Sequence, residues 1–142
     1  MPTTRSRQRA QGTTSGSLWL LYVLDAGLLV ASGLIHLHLW DIAYRHVKTL
    51  DQLFLAQTAL CILAAIVLLA ARRVIVVAGC ALLMAGTIVG FLLARTVGIF
   101  GFKLPYITGE AYAVLVIEAV AVLLLIITGA LMQGGRRAGR HG

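Results

Sequence analysis

Charge is scarce in this chain. Only 12% of its 142 residues are charged, against about 25% in an average soluble domain, and just five are acidic. Asparagine is absent and lysine nearly so, with two lysines against ten arginines, a bias that reads as a GC-rich bacterial genome. The two cysteines, Cys61 and Cys80, fall inside apolar runs rather than in clustered pairs. That excludes a disulfide framework and makes them small buried apolar residues. No CxxC, HExxH or phosphate-binding glycine loop occurs, and no Ser/His/Asp set carries a nucleophile elbow, so the usual signatures of soluble enzymes are missing. Only the first apolar run holds histidines, whereas bis-histidine haem needs axial ligands from facing positions.

What the chain has in abundance is apolar surface: 60% of residues are hydrophobic, and the mean hydropathy is +0.94. The net charge of +7 would suggest nucleic acid in a soluble protein. Here the basic residues sit at chain ends and in short loops. The expected partners are therefore the lipid bilayer and anionic headgroups at its cytoplasmic face, not nucleic acid.

A bilayer core about 30 Å thick takes roughly 20 apolar residues of helix. Four stretches satisfy this, at about 18–40, 52–71, 74–95 and 111–132. The fold class that follows is all-α, a polytopic membrane protein built as an antiparallel four-transmembrane-helix bundle. Residues 1–17 form a basic polar arm expected to be disordered, and 133–142 a basic tail. The first apolar run is too long for a cleaved signal core, which makes it a retained signal-anchor. Lys and Arg number eight on the side of the termini and the Arg72–Arg73 turn, and four on the other. Both termini are thus expected in the cytoplasm of a bacterium, beneath its plasma (inner) membrane.

Without a hydrophobic drive between helices in lipid, small residues and buried polar contacts do the packing. Gly79, Gly86 and Gly90 fall on one stripe of the third helix, and the expected use is close packing inside the bundle, with homo-oligomer formation as the alternative. The first helix adds Ala26, Gly27, Ala31 and Gly33.

Ionisable groups in a bilayer need a partner, a cavity or a task. Placed by helical rise, Asp25 lies roughly 6 Å to the cytoplasmic side of the midplane, His36 roughly 10 Å to the outer side, and Glu118 roughly 5 Å outward. Gln57, Thr87 and Arg95 also fall in the outer half. The candidate polar cluster is therefore His36, Gln57, Arg95 and Glu118. Asp25, Ser32 and Trp40 share the His36 face of the first helix, and Thr87 stands near Gln57. His38, two residues on, points away from His36 toward headgroups or lipid. Three uses of the cluster stay open. His36 and Glu118 are a serviceable pair of metal ligands; they are also a proton shuttle; and Glu118 can be paired with His36 or Arg95 only to satisfy its own burial. No cofactor is required by the sequence, and a metal ion is the one it allows.

Several segments carry a resemblance: HLHLW at 36–40, Tyr44-Arg45, LFLAQ at 53–57 and ARTVGIFGF at 94–102. In these the chain resembles small uncharacterised four-helix integral membrane proteins of actinobacteria. The resemblance implies an integral membrane protein and carries over no catalytic residue. Small multidrug resistance transporters are similar in length and helix number, but keep their glutamate in the first helix, where this chain has Asp25.

Function is expected along three lines. The first is a non-enzymatic plasma-membrane protein, such as an accessory subunit of a membrane complex with protein partners. The second is a metal-ion or proton binding or transport protein using His36 and Glu118. The third is a quinone-linked redox protein, with His36, Trp40 and the aromatic outer segment lining a pocket.

Overall fold

The computed structural model describes residues 4–101, 103–104 and 108–138. They form four helices: α1 (Thr4–Leu39), α2 (Leu50–Ala71), α3 (Val74–Thr96) and α4 (Gly109–Ala138), with a π-helical turn over Trp40–Tyr44 extending α1. All four are long and apolar enough to cross a membrane, over Gly16–Tyr44, Leu50–Ala71, Val74–Thr96 and Gly109–Arg136. The protein is a multi-pass membrane protein with an antiparallel four-helix bundle.

The element ends differ from the expected ones in an understandable direction. Helical backbone begins at Thr4, inside the segment expected to be a disordered arm, and α4 runs on to Ala138. Once nucleated by its apolar part, a helix continues until something stops it. No proline interrupts either extension. Residues 1–3 of the arm and 139–142 of the tail lie outside the described residues.

Each helix buries positions spaced by three and four residues. On α1 these are Tyr22, Asp25, Leu29, Ser32, His36 and Leu39; on α4, Ala111, Val114, Glu118, Ala121, Leu125 and Thr128. Thr58, Cys61, Ala65 and Leu68 do the same on α2, and Val77, Cys80 and Met84 on α3. This is the seam of a left-handed bundle. Hydropathy cannot reveal it here, because the lipid-facing positions are as apolar as the buried ones: Ile75 and Leu82 are about three-quarters exposed. Leu39 closes the buried stripe of α1, and Trp40, expected on that stripe, stands beside it at the start of the π turn.

α1 packs against α2 and α4, α3 packs against α4, and α2 touches α3 least. At one end α2 and α3 are joined by the two-residue turn expected at Arg72–Arg73, where Arg72 adopts the left-handed conformation (φ 46°) and Arg73 is extended. The Arg72 guanidinium covers the Trp19 ring at 4.7 Å. Toward the other end, where the two longer connections lie, α2 and α3 enclose a cavity.

Within the bundle, no neighbour packs closely on the α3 glycines. A Cβ added at Gly79, Gly86 or Gly90 meets nothing within 4 Å, and Gly79 and Gly86 face outward. The tight contact belongs instead to Gly33 on α1, where a Cβ would come within 3.0 Å of Cys61 Cβ and 3.4 Å of the Thr58 carbonyl oxygen. Thr58 Oγ1 donates to the Gly33 carbonyl at 3.1 Å across the same crossing. A Gly33→Val substitution therefore forces α1 off α2 and lowers the thermal unfolding midpoint in detergent. Gly86→Ala, with open space and better helix propensity by up to about 1 kcal/mol, leaves the midpoint unchanged or raises it.

Candidate functional site

The polar groups of the bundle collect on the α1/α4 seam because both seams carry them at matching levels. Ser32 is wholly buried, Glu118 is 1% exposed and His36 7%. Ser32 Oγ donates to Glu118 Oε1 at 3.1 Å. His36 Nδ1 lies 2.9 Å from the Ser32 carbonyl oxygen. A carbonyl can only accept, so Nδ1 carries the proton and the tautomer is fixed. That leaves Nε2 as the working nitrogen, 3.9 Å from Glu118 Oε1.

One proton shared between His36 and Glu118 would sit as imidazolium with carboxylate or as imidazole with carboxylic acid. In either form the pair is neutral overall, which spares the bundle an uncompensated buried charge. His36 also contacts the Phe54 ring (centroids 5.4 Å apart), and Tyr44 stacks on the same Phe54 ring at 4.6 Å.

His36 stands in the wall of the cavity, which measures about 240 Å³. Leu50, Leu53 and Phe54 of α2 and Gly90, Phe91 and Ala94 of α3 form its sides. Ile99 and Leu104, from the connection before α4, cover it. That connection is folded back onto α3 by two hydrogen bonds, Leu104 N–H to the Ala94 carbonyl at 3.0 Å and Arg95 Nη1 to the Leu104 carbonyl at 3.1 Å.

Of the four residues expected to cluster, the structure brings His36 and Glu118 together directly. Gln57 shares the cavity wall with His36 but spends its amide group on Thr87 Oγ1 (2.9 Å) and Cys61 Sγ (3.4 Å). Arg95 pins the connecting segment. His38 is exposed, as expected. The Trp40 indole N–H is buried with no partner in the described structure, and the Arg45 guanidinium sits 5.7 Å from the Trp40 ring centre.

A second polar pair lies near the Arg72 end. Thr128 Oγ1 donates to Asp25 Oδ2 at 2.7 Å, both residues are wholly buried, and Asp25 Oδ1 has no partner among the described residues. Leu29, Ala121 and Leu125, all wholly buried, separate the two pairs. From Asp25 to Ser32 this apolar layer is roughly 10 Å deep.

Thr128, the partner of Asp25, and Thr58 are not among the residues singled out from the sequence, and Phe54 and Tyr44 enter there only through the resemblance. The signal for Thr128 was present: in an antiparallel pair, residue 118 opposite 32 places 128 opposite 25 within one turn. As for a metal, no group of three or more His, Cys, Asp or Glu comes together among the described residues. Two donors with a serine hydrogen bond on one of them fall short of the three or four protein ligands of zinc sites.

No family model matches the chain, and neither curated proteins nor solved structures yield a match. The reading of function rests on the geometry.

Thr128→Val leaves the Asp25 carboxyl without its one donor, a loss of about 1–3 kcal/mol. The double substitution Asp25→Leu, Thr128→Val removes both partners and recovers most of that stability. Unfolding in detergent of the single and double variants reads this directly, and equal destabilisation by both contradicts it.

Proposed function

We propose that this protein binds and exchanges a proton in the bacterial plasma membrane, with His36 Nε2 and Glu118 as the proton-holding pair. The observation that carries the reading is the hydrogen bond from His36 Nδ1 to the Ser32 carbonyl, which turns Nε2 toward Glu118 and commits it to proton exchange. A purely structural pair needs no fixed tautomer and no cavity beside it. Among the expectations raised by the sequence, this one has named atoms at each step, whereas the metal reading lacks a third ligand among the described residues.

The positive-inside count supports placing both termini in the cytoplasm. The pair then lies in the outer half of the membrane, where His36 borders the cavity. The apolar layer between Ser32 and Asp25 argues for binding at this site rather than conduction through the protein, since proton transfer needs a continuous chain of polar groups or water.

Nitrogen-15 NMR of histidine-labelled protein in lipid nanodiscs tests the assignment, with His36→Ala identifying the signals. The expected result is an Nδ1-protonated neutral ring and a pH titration whose midpoint moves in Glu118→Gln. A His36 signal that ignores pH, or an Nε2-protonated neutral ring, overturns the reading.

Orientation is checked separately. In intact cells, Lys48→Cys reacts with a membrane-impermeant maleimide and Gly134→Cys does not. Background is low because Cys61 and Cys80 are both buried. The opposite labelling pattern reverses the topology.

A further inference from the structure

The cavity beside His36 has a chemical preference that follows from how its wall is hydrogen-bonded. Two donors at the wall are already spent: the Thr87 hydroxyl donates to the Leu83 carbonyl at 2.8 Å, so Thr87 Oγ1 is left to accept from the Gln57 amide. That sequence of bonds also fixes which end of the Gln57 amide is nitrogen. Its carbonyl oxygen therefore remains as an acceptor, on a residue that lines the cavity. His36, with its proton held at Nδ1, adds a second acceptor at Nε2 in its neutral form. Nε2 is 3.9 Å from Glu118, too far for a hydrogen bond between them, so its lone pair is open to a guest.

The rest of the wall is apolar and rich in rings, with Tyr44, Phe54 and Phe91 beside His36. An apolar cavity of about 150 Å³ holds benzene, and this one, at about 240 Å³, has room for a ring with substituents. Leu53, in its side wall, is 41% exposed, so the wall is not sealed there, beside the sparse contact between α2 and α3.

We propose that this cavity binds a membrane-dissolved aromatic ring bearing a hydroxyl group, of the phenol or hydroquinone class. The hydroxyl donates to Gln57 or to His36 Nε2, the ring lies among Phe54, Phe91 and Tyr44, and an alkyl tail leaves past Leu53. This deepens the proton-pair reading and rests on its assignment of the His36 tautomer. Carboxylates and carbonyl compounds without a donor are disfavoured, because they would face acceptors.

The test uses 4-heptylphenol and its methyl ether, each carrying a fluorine label, titrated into the full-length protein in nanodiscs and followed by fluorine NMR. Saturable binding of the phenol, tighter than the ether by roughly fivefold to tenfold, is the expected result, since the ether lacks only the donor. Gln57→Leu narrows that preference. Gly90→Leu fills the cavity without a backbone clash, since a Cβ there meets nothing within 4 Å, and abolishes binding of both probes while circular dichroism stays unchanged. Equal binding of phenol and ether overturns the hydroxyl preference, and absence of saturable binding of either overturns the site. The outcomes separate from those of the proton reading. If His36 ignores pH yet the phenol is preferred, the ligand site stands and the proton pair falls. If His36 titrates and neither probe saturates, the ligand site alone falls.

Discussion

A carboxyl group buried between transmembrane helices must find its hydrogen-bond partners inside the protein, and Glu118 meets that requirement through the Ser32 hydroxyl, with His36 of the same helix 3.9 Å away. In hydrocarbon an unpartnered polar group costs several kcal/mol. The Ser32–His36–Glu118 contacts therefore set the rotation and vertical register of α1 against α4. Once that register is fixed, Thr128 comes level with Asp25, and Leu29, Ala121 and Leu125 fill the space between. Turning α1 by one residue would break every one of these pairings together.

The remaining two helices are placed by different means. α2 is held to α1 by steric fit at Gly33 and by the Thr58 hydrogen bond to its carbonyl. α3 follows α2 through a two-residue turn and then packs mainly on α4. Because α2 and α3 are each committed to a different partner, they have little contact with each other. The cavity is the geometric consequence, and His36 reaches it because α1 packs directly against α2. The His36–Glu118 pair and the cavity thus have one origin.

The crossing segments were legible in the sequence from length and apolarity alone, and so was the Arg72–Arg73 turn, since two charges between apolar runs leave no alternative. The pairing of His36 with Glu118 was legible as well, because few other groups at that depth could satisfy a buried glutamate. The buried faces were not. On a soluble helix the polar side marks the surface, but Ile75 and Leu82 face outward here and are indistinguishable by hydropathy from Leu29 or Leu125. The glycines show the same limit. The small-residue spacing of Gly86 and Gly90 looked like a packing motif, whereas the glycine that a neighbour approaches is Gly33. Spacing reports that a close approach is possible on a helix face, and only the partner's position decides whether it happens.

The 3.9 Å separation of His36 and Glu118 would let the one site proposed above serve both a proton and a guest. At 3.9 Å the two groups do not close a hydrogen bond, and they attract as charges only when Nε2 is protonated. Ser32 holds Glu118 on its own side of this gap, and the Ser32 carbonyl holds His36 on the other. A proton placed on Nε2 is stabilised by the carboxylate across the gap. A hydroxyl that donates to Nε2 rather than to Gln57 uses the same lone pair, so in that pose it competes with the proton. Protonation and occupancy are then linked with negative sign, and the linkage is reciprocal: whatever factor acid takes from the affinity for the guest, the guest takes from the affinity for the proton.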